Sequence, residues 1–477
     1  MDASADSRDS HCKRPSKGKK RGGLPGWRNR MTMDSPAAPN TDAIPASKPA
    51  RLPRYAIGLL LVIYILNNVD RQIINILAEP IRKELHLHDW QVGVLTGFSF
   101  AILYALLGIP IARLAEKGNR SLIIAISVAA WSFFTVLCAF TRTFPQLALA
   151  RVGVGVGEAG CTPAAVSLIT DLAPREKRAS ALGIYTMGTP IGALLGMAIG
   201  GIVADIGGWR MALLVAGAPG LLVAALAALT LKEPRKTVGA IAARADPAPT
   251  FREAGRELRT SKTYVLFVLG GTVQAIVGFG NGAFMGSFFF RNHGAALAQD
   301  AASMGLQAAG FLGLTLGLIV GVGGTLGSFI GGKIADRHVA RNPKGLAIQM
   351  TWVNLVTTPL SIVAIMVDSL PLALSLFLVQ SLIFTMCFAP TYTVLQSVMH
   401  PRTRATAFAI YGLVINLVGL GLGPVLVGAL SDYLSHGAGL GPGQGLRYAL
   451  ATTSAFGFLA AALFWQSRKY IERDIVS

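Results

Sequence analysis

The sequence predicts an all-α membrane protein, with twelve spanning helices in two pseudo-symmetric bundles of six. Three observations carry this. Apolar runs of bilayer-spanning length recur along a chain that is 52% hydrophobic and only 14% charged, more apolar surface than one soluble core can bury. Basic residues gather in alternate loops, the distribution that fixes the orientation of membrane helices. Short motifs of the first half also return in the second.

Taken in order, residues 1–54 are rich in Lys, Arg, Ser, Pro, Gly and Ala, without apolar periodicity. They predict a disordered basic tail, and no apolar run follows closely enough for a secretory signal. Spans are expected near 55–77, 90–111, 121–140, 146–169, 179–204 and 209–231, forming an N-terminal bundle over 55–231. A polar, proline-containing linker over 232–262 follows, with one amphipathic helix around Phe251–Leu258. A C-terminal bundle over 263–466 holds spans near 263–290, 306–332, 345–367, 372–398, 405–430 and 446–466, and 467–477 is a second tail.

The halves repeat. Arg178-Ala-Ser-Ala-Leu-Gly-Ile-Tyr185 returns as Arg404-Ala-Thr-Ala-Phe-Ala-Ile-Tyr411, and Gly208-Trp-Arg-Met-Ala-Leu213 as Gly445-Leu-Arg-Tyr-Ala-Leu450. Lys333-Ile-Ala-Asp-Arg337 echoes Arg113-Leu-Ala-Glu-Lys117. Parallel six-helix repeats with a site between them are a transporter architecture. Gly188, Gly192, Gly196 and Gly200 share one stripe of the fifth span, as do Gly313, Gly317 and Gly321 in the eighth; such stripes let backbones approach closely.

Composition also excludes. The formal charge of +19 suggests nucleic acid until its location is noted; in the tail and alternate loops it sets topology, with both termini cytoplasmic, and no nucleic-acid partner is expected. Four cysteines give no disulfide framework. The seven histidines are read in loops or the tail, so no metal centre and no cofactor are expected. Gly155-Val-Gly-Glu-Ala-Gly160 satisfies a dinucleotide fingerprint in form, but follows no strand. Gly327-Ser-Phe-Ile-Gly-Gly-Lys333 ends in Ile334 where a phosphate loop needs Ser or Thr.

The chemistry concentrates in the first half. Arg151 and Glu158 lie seven residues apart in an otherwise apolar fourth span, on nearly one face. A charge at bilayer depth costs at least ~2.5–3.5 kcal/mol, so it faces a partner or a polar path. The pair is therefore either a structural lock between helices or a substrate and proton site. The first span adds Asn67-Asn-Val-Asp-Arg71; Asp70 and Arg71 point about 100° apart, and Asn67 lies on the face between them. The second half offers amides instead, among them Gln274, Asn281 and Gln380. For an apolar ligand tail, Phe279, Phe284 and Phe288 of the seventh span are candidate wall residues.

Arg151-x3-Gly155-x-Gly157 with Pro163, and the loop Arg113 to Arg120, resemble the major facilitator superfamily. Asn67 to Arg71, Leu95-Thr-Gly-Phe-Ser-Phe-Ala101, Arg151 to Gly160 and Ala181-Leu-Gly-Ile-Tyr185 resemble its Spinster-like transporters. The likeness covers about residues 54–467; Ala112 and Glu116 stand where the superfamily usually has Gly and Asp. It implies proton-coupled transport of an amphipathic or organic anion by alternating access, lysolipids and sphingoid phosphates being the cargo of animal relatives. Asp70 and Glu158 would carry the proton; Arg71, Arg151, Asn67, Phe284, Gln274, Asn281 and Gln380 would meet the substrate. Glu116, Arg120, Arg178, Asp336, Arg337 and Arg404 would form the cytoplasmic gate. The expected partners are a small-molecule or lysolipid substrate, protons and membrane lipids, with the protein a monomer in an inner or plasma membrane. A sugar-acid or organic-anion symporter is the alternative. A membrane enzyme or receptor is remote, since the helices hold no nucleophile–base pair or metal ligands.

Overall fold

The structure, a computed structural model, describes residues 53–234 and 251–476; the basic tail before them and the middle of the linker lie outside the described residues. Among the described residues, eleven helices are long and apolar enough to cross a membrane: Arg54–Glu84, Asp89–Gly108, Arg120–Cys138, Phe144–Leu172, Arg178–Thr230, Lys262–Asn292, Ala308–His338, Lys344–Met366, Leu370–Ser397, Thr406–Gly437 and Gly441–Ser467. The fifth is two crossings. Gly208 takes φ +75° within it, a conformation that a residue without a Cβ enters at little cost. Beyond it Trp209 donates to Glu84 at one end of the first span, and the Thr230 hydroxyl meets Tyr55 at the other. The described residues thus make twelve passes, with no strand among them.

Two helices differ from expectation. The first runs on to Glu84 through Pro80, which puts Glu79 inside the helix. The fourth is interrupted after Glu158 and restarts at Cys161, because Pro163 has no N–H to continue the ladder. His338 and His436, read as loop residues, lie in helical turns.

The side on which the first span begins is the tail side here, and the opposite one the far side. One apolar core runs through the N-terminal half and continues, on the far side, into Phe284, Phe288, Leu312, Leu316 and Val427 of the C-terminal half. A separate core around Tyr264, Phe267, Met350, Leu395 and Phe464 fills the tail side of the C-terminal half. The halves therefore share apolar packing on the far side and divide on the tail side.

The glycine stripes explain where they divide. Gly188, Gly192, Gly196 and Gly200 lie against the first span at Tyr64, Ile65, Asn68, Val69 and Ile73. Gly313, Gly317 and Gly321 cross between the halves, where an added Cβ would meet Met197, Leu194 and Pro190. Beyond Gly321 the eighth span leaves this seam, and Gly327 packs instead on Leu382 and Thr385 of its own half.

Each half ties down its own tail-side ends. Arg178 donates to the Ala173 carbonyl at 3.3 Å and its repeat partner Arg404 to the Met399 carbonyl at 3.1 Å. Glu233, after the sixth span, binds fully buried Arg120 at 2.5 Å, and Asp171 binds it at 2.6 Å. Glu472, after the twelfth, binds Lys344 at 2.7 Å in the matching place. Of the gate expectation, Arg120, Arg178 and Arg404 bond within their own halves. Asp336 and Arg337 are exposed, with no ion pair among the described residues, and the Glu116 side chain lies outside those described.

Candidate substrate and proton site

The glycine run of the fourth span seats it against the second and third. An added Cβ at Gly155 would collide with the Phe100 carbonyl, and one at Gly157 with the Trp131 backbone. Only a bare backbone can lie this close to the second and third spans. Arg151 and Glu158 then face the middle of the first span, where Asp70 and Arg71 sit.

The four charges pair crosswise. Arg71 Nε donates to Glu158 Oε2 at 2.6 Å, and Arg151 Nη1 stands 3.8 Å from Asp70 Oδ1. The 100° between Asp70 and Arg71 sends each to a different partner, so Arg151 and Glu158, although on one face, each close on the first span. Asp70 Oδ2 also accepts a 2.5 Å hydrogen bond from the Thr135 hydroxyl.

Exposure separates the pairs. Asp70, Arg151 and Glu158 are buried, whereas 27% of the Arg71 side chain is exposed. Its guanidinium lies 4.8 Å from the Phe100 ring centre and 4.7 Å from that of Tyr104, two rings that stack on each other. These faces attract the cation and hold its plane at the edge of the buried cluster. Asp70 Oδ1, Glu158 Oε1, Arg151 Nε and Asn67 Nδ2 are buried without a hydrogen-bond partner. Unsatisfied buried polar atoms cost about 1–3 kcal/mol each, more when charged. The cluster is thus under-bonded, and a proton or an anion has places to go.

The remaining candidates scatter. Asn67 is buried one turn before the pairs. Asn281 spends its amide on Ser454 and Thr453 at 2.7 and 2.8 Å, an interhelical bond within the second half. Gln274 is buried with Nε2 unpartnered, and Gln380 is half-buried. Phe284 and Phe288 are fully buried in the core, so neither reaches the opening here; Phe279 is 40% exposed. An amphipathic spacing cannot tell a lining phenylalanine from a packing one.

Sequence reasoning passed over Thr135, Phe100 and Tyr104, since such residues are ordinary in membrane helices. It also passed over a far-side charge cluster. Arg291 of the seventh span reaches Asp89 through both terminal nitrogens at 2.8 and 2.7 Å, and Glu79 through Nε at 2.9 Å. Ser431 donates to Asp89 at 2.6 Å, and Arg82 holds Glu79 at 2.8 Å. The Arg291 and Ser431 contacts join the two halves. The signal was present in Glu79, a carboxylate just past the expected end of a span.

A family model described as Major Facilitator Superfamily matches residues 60–420. The chain is 32% identical over 424 residues to an MFS-type efflux pump of Mycolicibacterium smegmatis, covering 88% of this chain and 94% of that one. It is 27% identical over 410 residues to the sphingosine-1-phosphate transporter SPNS2 of Danio rerio, covering 81% and 77%. Among solved structures it is similar to a bacterial homologue of the human lysosomal transporter Spinster, inward-facing and unoccupied. The TM-score there is 0.77 at 32% identity, over 90% of this chain and 99% of that one.

Proposed function

The chain belongs to the major facilitator superfamily, in its Spinster-like branch, and from that premise we propose a proton-coupled transporter of an amphipathic anion. The crossed pairs carry the reading. A purely structural lock would bury and saturate both pairs; here Arg71 stays open to an incoming anion, and Glu158 depends on it for its one hydrogen bond. Burial opposes ionisation of a carboxyl and a neighbouring guanidinium supports it. As Arg71 turns to an anionic headgroup, Glu158 is left to take up a proton, and Asp70 with Arg151 forms a second such pair.

The substrate class rests on the exposed cation, on the scarcity of charge in the second half, and on the SPNS2 relative, whose name specifies a lipid phosphate. Gln380 and Phe279 border the path in this reading, with Asn281 in support. In this reading the tail side is the cytoplasmic one, and halves that share their apolar core on the far side correspond to a state open towards it. Glu116, Asp336, Arg337 and the Arg120, Arg178 and Arg404 ends meet when that side closes. The protein acts as a monomer.

The test is flux into proteoliposomes of purified protein, with lysophosphatidylglycerol and gluconate as probes and a pH gradient imposed or absent. Lysophosphatidylglycerol should accumulate several-fold when the gradient is present. Movement of gluconate alone would transfer the reading to the sugar-acid class, and lipid flux indifferent to the gradient would remove proton coupling.

A further inference from the structure

The far side carries a second, subtler symmetry. The register that aligns Arg113–Lys117 with Lys333–Arg337 also aligns Asp89 and Trp90, at the start of the second span, with Ala309 and Gly310 at the start of the eighth. Both helix starts are capped by a carboxylate of the opposite half. Asp432, in the eleventh span, accepts from the backbone N–H of Asp89 at 3.0 Å and of Trp90 at 2.8 Å. Asp205, in the fifth span, accepts from the backbone N–H of Ala309 at 3.2 Å and of Gly310 at 2.5 Å. The fifth and eleventh spans are themselves repeat partners, since Arg178–Tyr185 and Arg404–Tyr411 open them.

The chemistry of each cap is the same. A helix start presents N–H groups with no partner inside the helix and about half a positive charge. A carboxylate satisfies two of them with charge-assisted bonds, roughly twice as strong as neutral ones. Helices usually take such caps from the residue just before them. Here the preceding residues, His88 and Gln307, make no side-chain cap bond to these N–H groups, and the other half supplies it. Bonds that exist only while the halves touch do not help either half fold alone; they favour the far-closed arrangement.

We infer that Asp205 and Asp432 are a matched pair of latches, one on each flank of the interface between halves, whose bonds to the opposite half's helix starts set the balance between tail-open and far-open states. The flanks are not equal. Beside the cap between the second and eleventh spans, Asp89 is also held by Arg291 of the seventh span, which binds Glu79 of the first, whereas the fifth and eighth have glycine packing. Asp205 is therefore the larger share of the polar contact on its flank.

The test uses the full chain in nanodiscs, its native cysteines replaced. One pair of spin labels is placed at Phe140 and Met304, exposed far-side positions of the two halves, and another at Glu176 and Asn342 on the tail side. Asp→Asn keeps the shape of each cap and removes its charge. Asp205→Asn and Asp432→Asn should each move the far-open to tail-open ratio about tenfold towards far-open, and together about a hundredfold. The far-side distance then lengthens as the tail-side one shortens. Asp432→Glu, which keeps the charge, should stay close to the parent. Unchanged distances in the double variant overturn the inference. So does a double variant that melts earlier with both distances unchanged, since the caps would then serve folding alone.

Discussion

Glu158→Gln separates coupling from architecture. In the structure Glu158 Oε2 accepts from Arg71 at 2.6 Å, while Oε1 has no hydrogen-bond partner. Glutamine can keep its oxygen on Arg71 and set its amide nitrogen where no bond is now made. What disappears is the charge. Breaking a buried ion pair costs about 3–5 kcal/mol when the survivor is stranded. Arg71 is not stranded, since it keeps a hydrogen bond, the Phe100 and Tyr104 faces and access to solvent. The loss should then be about 1–3 kcal/mol, a lowered melting temperature with the fold intact. In proteoliposomes the variant should still exchange lysophosphatidylglycerol between equal pools, yet accumulate none beyond the ungraded control when a pH gradient is imposed. Full gradient-driven accumulation would show that the proton travels elsewhere, with Asp70 the first place to look. Loss of exchange together with a collapsed melting transition would make the pair a structural lock.

Phe284 has no exposed surface in the core that joins the halves, so Phe284→Ala should cost about 3–5 kcal/mol of stability and weaken long- and short-chain ligands alike; a selective loss for long chains would return it to the substrate path. At the C-terminus, burial opposes ionisation of Asp474, but the Thr263 backbone N–H at 2.9 Å and Arg473 outweigh it and hold the carboxyl below its usual range. A lowered folded value means the docking is fully present above the unfolded pKa of about 3.9 and is lost as pH falls through the folded one. Hydrogen-exchange protection over residues 470–476, taken relative to the intrinsic rate at each pH, should accordingly fall on acidification, and Asp474→Asn should abolish that dependence. For orientation, a single cysteine at Ser303 should react with an impermeant maleimide in intact cells and one at Asn342 should not; the reverse pattern would invert the topology.

What was legible in the sequence was whatever a period or a repeat encodes. Spans follow from apolar length, the two halves from recurring loops, and the core of the candidate site from charges where the bilayer penalises them most. Pairing was not legible, because a helical wheel orders residues on one helix and is silent about the neighbour's rotation. Arg151 and Glu158 share a face, yet each takes a partner on the first span instead, while the glycines between them seat the fourth span against the second and third. Asn281 and Phe284 failed to read for a related reason: an amide or a ring on a buried face serves packing and lining equally well until its neighbours are known. The far-side charges were hidden differently. Glu79, Asp89, Arg291 and Asp432 lie at or near span ends, where charge is cheap and carries no penalty to flag it. Only the partner half turns them into contacts. The mid-membrane charges therefore stand out from one helix at a time, whereas those that join the halves become visible only when the repeat is folded onto itself.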